Sequence, residues 1–165
     1  MARFLEKEEN ILTKPLFSLC FPDEEFLKEH YGRDGEGLGC RTAAAEMDGS
    51  IVSMAQLVRR TAVYRERELP VWYIMGVCTH PDYRHRGLMD EVLSLVLEQL
   101  SGEGEEYCFL MPVDPEIYRH LGFIHDFHVR TKEELDLLYA DDGLSLCSAR
   151  ELREGAFSEP LHIKR

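Results

Sequence analysis

The chain has 165 residues, 44% of them apolar, which suits one domain over residues 1–165 and argues against wholesale disorder. Its formal net charge of −12 argues against a nucleic-acid partner, which rewards basic surface, and is compatible with a cationic small molecule or peptide. No apolar run reaches membrane-spanning length, and Met1–Asn10 carries Glu6, Glu8 and Glu9 without the apolar stretch of a signal peptide. No membrane partner and a cytoplasmic location are therefore expected.

In chain order, Ile11–Phe21 has helical spacing at Ile11, Leu12, Leu16 and Leu19, with Pro15 placed to kink or divide it. Asp23 suits an N-cap for Glu24–Tyr31, with Phe26 and Leu27 as the buried side. Gly32–Gly39 holds four glycines and reads as a loop. Arg41–Met47 and Ser50–Arg59 read as strands joined at Asp48-Gly49, a hairpin signal. The charged run Arg59–Glu68, with Arg59, Arg60, Arg65 and Arg67, reads as a longer turn that could reach the nucleotide end of a ligand. Val71–Thr79 is a third strand, completing an antiparallel meander.

The period then changes. Gly87–Leu100 carries Leu88, Val92, Leu95, Val96 and Leu100 at helical spacing, and Gly102 and Gly104 end it. Tyr107–Met111 is a short buried strand, so strand, helix and strand imply a parallel pair. Pro115–Leu121 reads as a brief helix and Phe123–Arg130 as a strand. In the tail, Lys132–Tyr139 could be strand or helix, Ser148–Glu154 looks helical, and Leu161–Lys164 could pair with Phe123–Arg130. An exposed late hairpin could also pair two copies as a homodimer. Five cysteines, an odd number without metal-knuckle spacing, are expected to be reduced thiols, and no metal is expected.

The chemistry concentrates in Val77-Cys78-Thr79-His80-Pro81-Asp82-Tyr83-Arg84-His85-Arg86-Gly87-Leu88-Met89. His80-Pro81 forces an extended exit from the strand, because the residue before proline avoids the α region. The turn then offers Arg84, His85 and Arg86, and Gly87 opens an amphipathic helix whose first amides lack intrahelical acceptors. A helix start of this kind favours an anion by about 0.3–1 kcal/mol. Gly87 leaves room for close approach to the backbone.

Arg84-x-x-Gly87-x-Met89 resembles the pyrophosphate motif R/Q-x-x-G-x-G/A of the GNAT (Gcn5-related N-acetyltransferase) superfamily, with Met89 where a small residue is usual. Downstream, Phe109-Leu110-Met111-Pro112 and Ile117-Tyr118-Arg119-His120-Leu121-Gly122-Phe123 resemble the superfamily's next strand and its Y-x-x-x-G-F helix. Phe17–Phe123 is similar to the first acetyltransferase domain of the enhanced-intracellular-survival type. The further domains of that group are not expected in so short a chain.

The resemblance implies an α/β fold: a mixed, mostly antiparallel central sheet flanked by helices, with a splayed parallel pair after Thr79. It implies acetyl-CoA as acyl donor, bound by the Val77–Thr79 backbone and by Arg84–Met89, and transfer to a primary amine in a ternary complex. It assigns Tyr118 as the general acid for the departing sulfur. A tyrosine of ordinary pKa, about 10, stays protonated at neutral pH and can donate. Glu25, Glu46, His80 and His125 are candidates for the base by residue type. Phe21, Phe26, Tyr31, Trp72 and Tyr73 are candidate acceptor contacts, or core packing residues. The alternative function is a non-catalytic CoA-binding or regulatory module on the same fold.

Overall fold

Three residues at the very start already form a strand. In the computed structural model, which describes residues 1–64, 67–128 and 146–151, β1 (Ala2–Phe4) pairs antiparallel with β2 (Arg41–Met47), register Arg3↔Ala44. Sequence pattern does not announce β1, because three residues show no periodicity. The described chain falls into two compact units, Met1–Val58 with Met75–Gln99, and Arg59–Ile74 with Leu100–Arg165.

In the first unit, a 3₁₀ helix (Lys7–Thr13) leads into α1 (Lys14–Cys20). Pro15 lies in the first turn of α1, where a missing N–H costs nothing, so it divides the segment rather than kinking it. Asp23 caps α2 (Glu24–His30): its carboxylate accepts from the amides of Glu25 and Phe26, both at 3.0 Å. The glycine-rich stretch contains one more helical turn, α3 (Glu36–Gly39). Asp48 (φ 53°) and Gly49 (φ 74°) are both left-handed, as a tight two-residue hairpin requires, and join β2 to β3 (Ser50–Tyr64). Small residues fill β2, where Ala43, Ala44 and Ala45 are buried. Phe17, Leu16, Leu27, Tyr31, Met54 and Cys78 pack with Ala44 as one cluster.

β3 neighbours β4 (Arg67–Thr79) in the sheet. The charged segment expected to be a turn is therefore largely strand: β3 runs on to Tyr64 and β4 begins at Arg67. Thr61, Val63 and Tyr64 favour extended backbone, and Arg59 finds partners as a strand residue. Its guanidinium lies over the Trp72 ring, 4.2 Å from the centroid, and pairs with Glu105. α4 (Leu88–Gly102) buries Val92, Val96 and Leu100 of the face its spacing predicts, together with Leu93 and Leu97, while Leu88 and Leu95 are half-buried.

In the second unit, β4 pairs parallel with β5 (Tyr107–Leu110) from Trp72↔Cys108 to Ile74↔Leu110, while β4 itself continues to Thr79. α5 (Glu116–Arg119) and β6 (Ile124–His128) follow. The segment from Ser148 was expected to be helical. Instead β7 (Leu146–Glu151) is a strand, antiparallel to both β5 and β6. Ladders on both edges satisfy its backbone and override a local helical preference. The neighbour of β6 is thus β7, and the order runs β4-β5-β7-β6. Lys132–Tyr139 and Leu161–Lys164 lie outside the described residues. Among the described residues the sheet is mixed, with β4 and β5 parallel beside antiparallel pairs, and helices flank it.

Candidate functional site

The segment between β4 and α4 is built from short-range contacts. After Thr79, His80 caps a 3₁₀ turn (Pro81–Tyr83), its Nδ1 accepting the Asp82 amide at 3.2 Å. The His80 amide donates to the Val52 carbonyl at 2.8 Å, pinning the end of β4 to β3. Backbone groups alternate sides along a strand. His80 and Cys78 therefore direct their amides toward β3, and Val77 and Thr79 direct theirs away from it. Of the three strand residues singled out by sequence, Val77 and Thr79 direct their backbone groups to the side away from β3, where the Thr79 carbonyl receives Arg84 Nε.

The loop then turns through two left-handed residues, His85 (φ 61°) and Gly87 (φ 75°). The first is uncommon for a residue with a Cβ, so the loop carries local strain. A Cβ built on Gly87 would meet nothing within 4 Å, so the space over this backbone is open. The first intrahelical bond of α4 runs from the Glu91 amide to the Gly87 carbonyl at 3.0 Å, and the amides of Gly87, Leu88 and Met89 precede it. Arg84, His85 and Arg86 are exposed, while Leu88 and Met89 are half-buried. Arg84 Nε donates to the Thr79 carbonyl at 3.2 Å. Arg86 donates to the Asp82 carbonyl at 3.1 Å and lies over the Tyr83 ring, 5.0 Å from its centroid. Two arginines, a histidine and a run of leading amides stand together at this turn of an acidic chain, an arrangement of the kind that suits an anion.

Behind the loop, Cys20 at the end of α1 packs against the cluster containing Cys78 and sits 3.9 Å from the Thr79 carbonyl. Cys78 is buried, and burial, reinforced by Cys20, pushes its thiol well above the ordinary range. Burial also raises Cys40. Cys20, Cys40, Cys78 and Cys108 are free thiols, and the side chain of Cys147 lies outside the described residues. Among the described residues no group of three or more histidines, cysteines or acids could hold a metal ion. Among them, too, no helix is long and apolar enough to cross a membrane.

The candidate acceptor residues divide. Phe21 and Phe26 both approach Phe17, at centroid distances of 4.8 and 5.9 Å, and Phe26 is 40% exposed. Tyr31 is buried, with its hydroxyl held by Thr13 and Gln56. Phe17 and His30 are central to this aromatic group, yet only their neighbours stood out in the sequence. Their spacing on two short helices gave no signal. Trp72, Tyr73 and Tyr118 belong to the second unit. The Trp72 indole donates to Glu105 at 3.1 Å beneath Arg59, and Tyr73 is half-buried. Tyr118 is 9% exposed, edge-on to Phe123 at 6.0 Å.

Among the candidate bases, Glu25 is exposed on α2, and Glu46 lies 3.7 Å from Arg3. His80 Nδ1 is committed to its cap. The side chains of His125, Arg65 and Arg67 lie outside the described residues.

Residues 2–125 match the profile of a family described as an acetyltransferase (GNAT) domain. No curated protein matches the chain. Among solved structures, the chain resembles the Escherichia coli GNAT-family N-acetyltransferase YhbS in complex with CoA. The TM-score is 0.69 at 16% identity, over 94% of this chain and 83% of that one. It also resembles a GNAT-family acetyltransferase from Brucella melitensis in complex with acetyl-CoA, with TM-score 0.62 and 18% identity, over 95% and 97% of the two chains. Eis1 from Mycobacterium abscessus matches 74% of this chain at TM-score 0.58 and 20% identity. The chain spans 30% of Eis1 and about a third of several other matched chains. At these identities the structural likeness attests the fold.

Proposed function

The chain belongs to the GNAT family of acetyltransferase domains, and from that footing we propose that it moves the acetyl group of acetyl-CoA to a primary amine of a small molecule or peptide. The observation that carries the reading is the turn at the head of α4. There, two left-handed residues, open space over Gly87 and exposed Arg84 and Arg86 offer an anion both backbone amides and cationic side chains.

In this reading the amides of Gly87–Met89, with Arg84, His85 and Arg86, hold the donor's pyrophosphate. The backbone of Val77 and Thr79, on the side away from β3, pairs with the pantetheine amides as an added strand would. An amide on that side also polarises the thioester carbonyl. The amine nitrogen attacks the carbonyl carbon, the carbon–sulfur bond breaks, and the departing thiolate takes its proton from the Tyr118 hydroxyl. A base accepts the proton lost by the amine, which for a lysine-like acceptor is neutral in only about 1 of 10³ molecules at pH 7. The charge of −12 favours a cationic acceptor. Phe21 and Phe26, beside Phe17, supply apolar surface for it.

Calorimetry with acetyl-CoA, followed by a screen of amine classes read by free-thiol release, tests the proposal. Binding and thiol release with at least one class are expected. Absence of binding at millimolar ligand overturns it. Binding without transfer to any amine makes the protein a CoA-binding module. Tyr118→Phe should keep donor affinity and lower turnover, and unchanged turnover removes the acid role.

A further inference from the structure

Ser53 is fully buried on β3, and its hydroxyl has two neighbours on β4: the Cys78 carbonyl at 3.3 Å and Thr79 Oγ1 at 2.8 Å. A carbonyl can only accept, so the single proton of Ser53 goes to Cys78 and the Thr79 hydroxyl donates to Ser53. The side chain of Thr79 is thereby locked to the core. Its carbonyl is engaged as well, receiving Arg84 Nε at 3.2 Å. One residue later the His80 amide is tied to Val52. A buried hydroxyl, a strand end and an exposed arginine thus form one continuous chain of contacts.

The arginine is the residue the anion reading needs most. A guanidinium has five donors in a rigid fork. With Nε on the Thr79 carbonyl, the two terminal nitrogens remain for phosphate oxygens, and the plane of the fork is set by Thr79. We infer that Ser53 is a positioning residue of the acyl-donor site, acting through Thr79 to aim Arg84 at the pyrophosphate. The inference deepens the proposed function and rests on it. It explains why a hydroxyl stands at a fully buried strand position where an alanine or valine would pack without a polar group to satisfy. It also separates Arg84 from Arg86, whose guanidinium is held by the Asp82 carbonyl and the Tyr83 ring within its own turn.

The test is a double-mutant cycle on the full chain, with CoA as the probe and calorimetry as the readout. Ser53→Ala is expected to weaken CoA about fivefold, the loss of one hydrogen bond's worth of order. Arg84→Gln is expected to weaken it at least as much. Because Ser53 acts through Arg84, the double variant should be no weaker than Arg84→Gln alone. A role confined to general stability would add instead. Additive losses, or Ser53→Ala binding CoA as the wild type does, overturn the inference. Should Ser53→Ala fail to fold, the strand end carries the same test. Thr79→Ser, which keeps the hydroxyl, should bind CoA more tightly than Thr79→Val, and equal affinities overturn it. Absence of CoA binding by the wild-type chain removes the proposed function, and this inference with it, a pattern distinct from either result above.

Discussion

His30 Nε2 lies 2.8 Å from Gln56 Oε1, and both residues are buried. An amide oxygen only accepts, so His30 donates from Nε2, and the rest of the chain is ordered by the same logic. Gln56 Nε2 donates to the Tyr31 hydroxyl at 3.4 Å, Tyr31 to Thr13 at 2.8 Å, and Thr13 to the Asn10 carbonyl at 2.6 Å. Asn10 in turn donates to the carbonyls of Leu38 and Cys40. This line of donors ties the 3₁₀ helix, α2 and β3 together beneath the aromatic group around Phe17.

Tyr31→Phe removes the middle of that line and leaves Gln56 and Thr13 each one partner short. A stability loss of about 1–2 kcal/mol is expected by urea denaturation. Burial, the largest cause, pushes the Tyr31 hydroxyl up to about 12, while its hydrogen bonds to Thr13 and Gln56 oppose the rise. The folded state therefore holds a proton that the unfolded chain releases near its ordinary value of about 10. The stabilisation is complete below that value and is lost as pH rises toward 12. Wild type should lose stability across this window, and Tyr31→Phe should lose less. Equal losses would count against this role for Tyr31.

Gly76 has φ 59° within β4, and a Cβ there would stand 2.9 Å from Phe17 Cε2 and 3.0 Å from Gln56 Oε1. Gly76→Ala combines left-handed strain with a collision against both the aromatic group and the polar line. Strain alone costs about 1–2 kcal/mol, and the crowding adds to it. A denaturation midpoint within error of wild type would show that the strand relaxes at this point.

Gly87 shares the left-handed conformation but has open space around it. Gly87→Ala should therefore cost backbone strain alone, about 1–2 kcal/mol, and should weaken CoA. Gly87→Asn should be milder on stability, since asparagine tolerates this region. Thermal melts and CoA calorimetry on the two variants separate strain from lost access: equal stability of both would point away from the backbone.

Cys20 is half-buried, whereas Cys40, Cys78 and Cys108 are buried. Burial also holds the Cys40 and Cys78 thiols above the ordinary range. Native-state alkylation followed by peptide mass spectrometry should therefore modify Cys20 first among these four. Prior labelling of Cys78 would contradict its place in the cluster.

What could be read in advance was whatever short-range chemistry dictates. Asp23 caps α2 because a carboxylate before a helix has amides within reach. Asp48-Gly49 turns because both residues tolerate left-handed backbone. Pro15 divides its segment because it has no N–H with which to continue a helix. The loop was legible for the same reason: His80-Pro81, the arginines and Gly87 act within one turn of chain.

The hairpin of β2 with β3 and the parallel pair of β4 with β5 were legible too, whereas the pairings of β1, β6 and β7 were not. Arg59–Glu68 reads as a solvated turn from its charge, yet Arg59–Tyr64 is strand, where Trp72 and Glu105, distant in sequence, receive Arg59. The segment from Ser148 has local helical character and becomes part of β7 because β5 and β6 offer ladders on both edges. Ser53, Gln56 and His30 carry no motif; their roles exist only where two strands and a helix meet. The sequence by itself determined the turn at Arg84–Met89 with its cationic side chains, since backbone preference and local charge suffice for that, and it carried the motif resemblance that the family match bears out. Only the tertiary structure decided how the turn is held, because the hydroxyls of Ser53 and Thr79 meet solely by strand pairing.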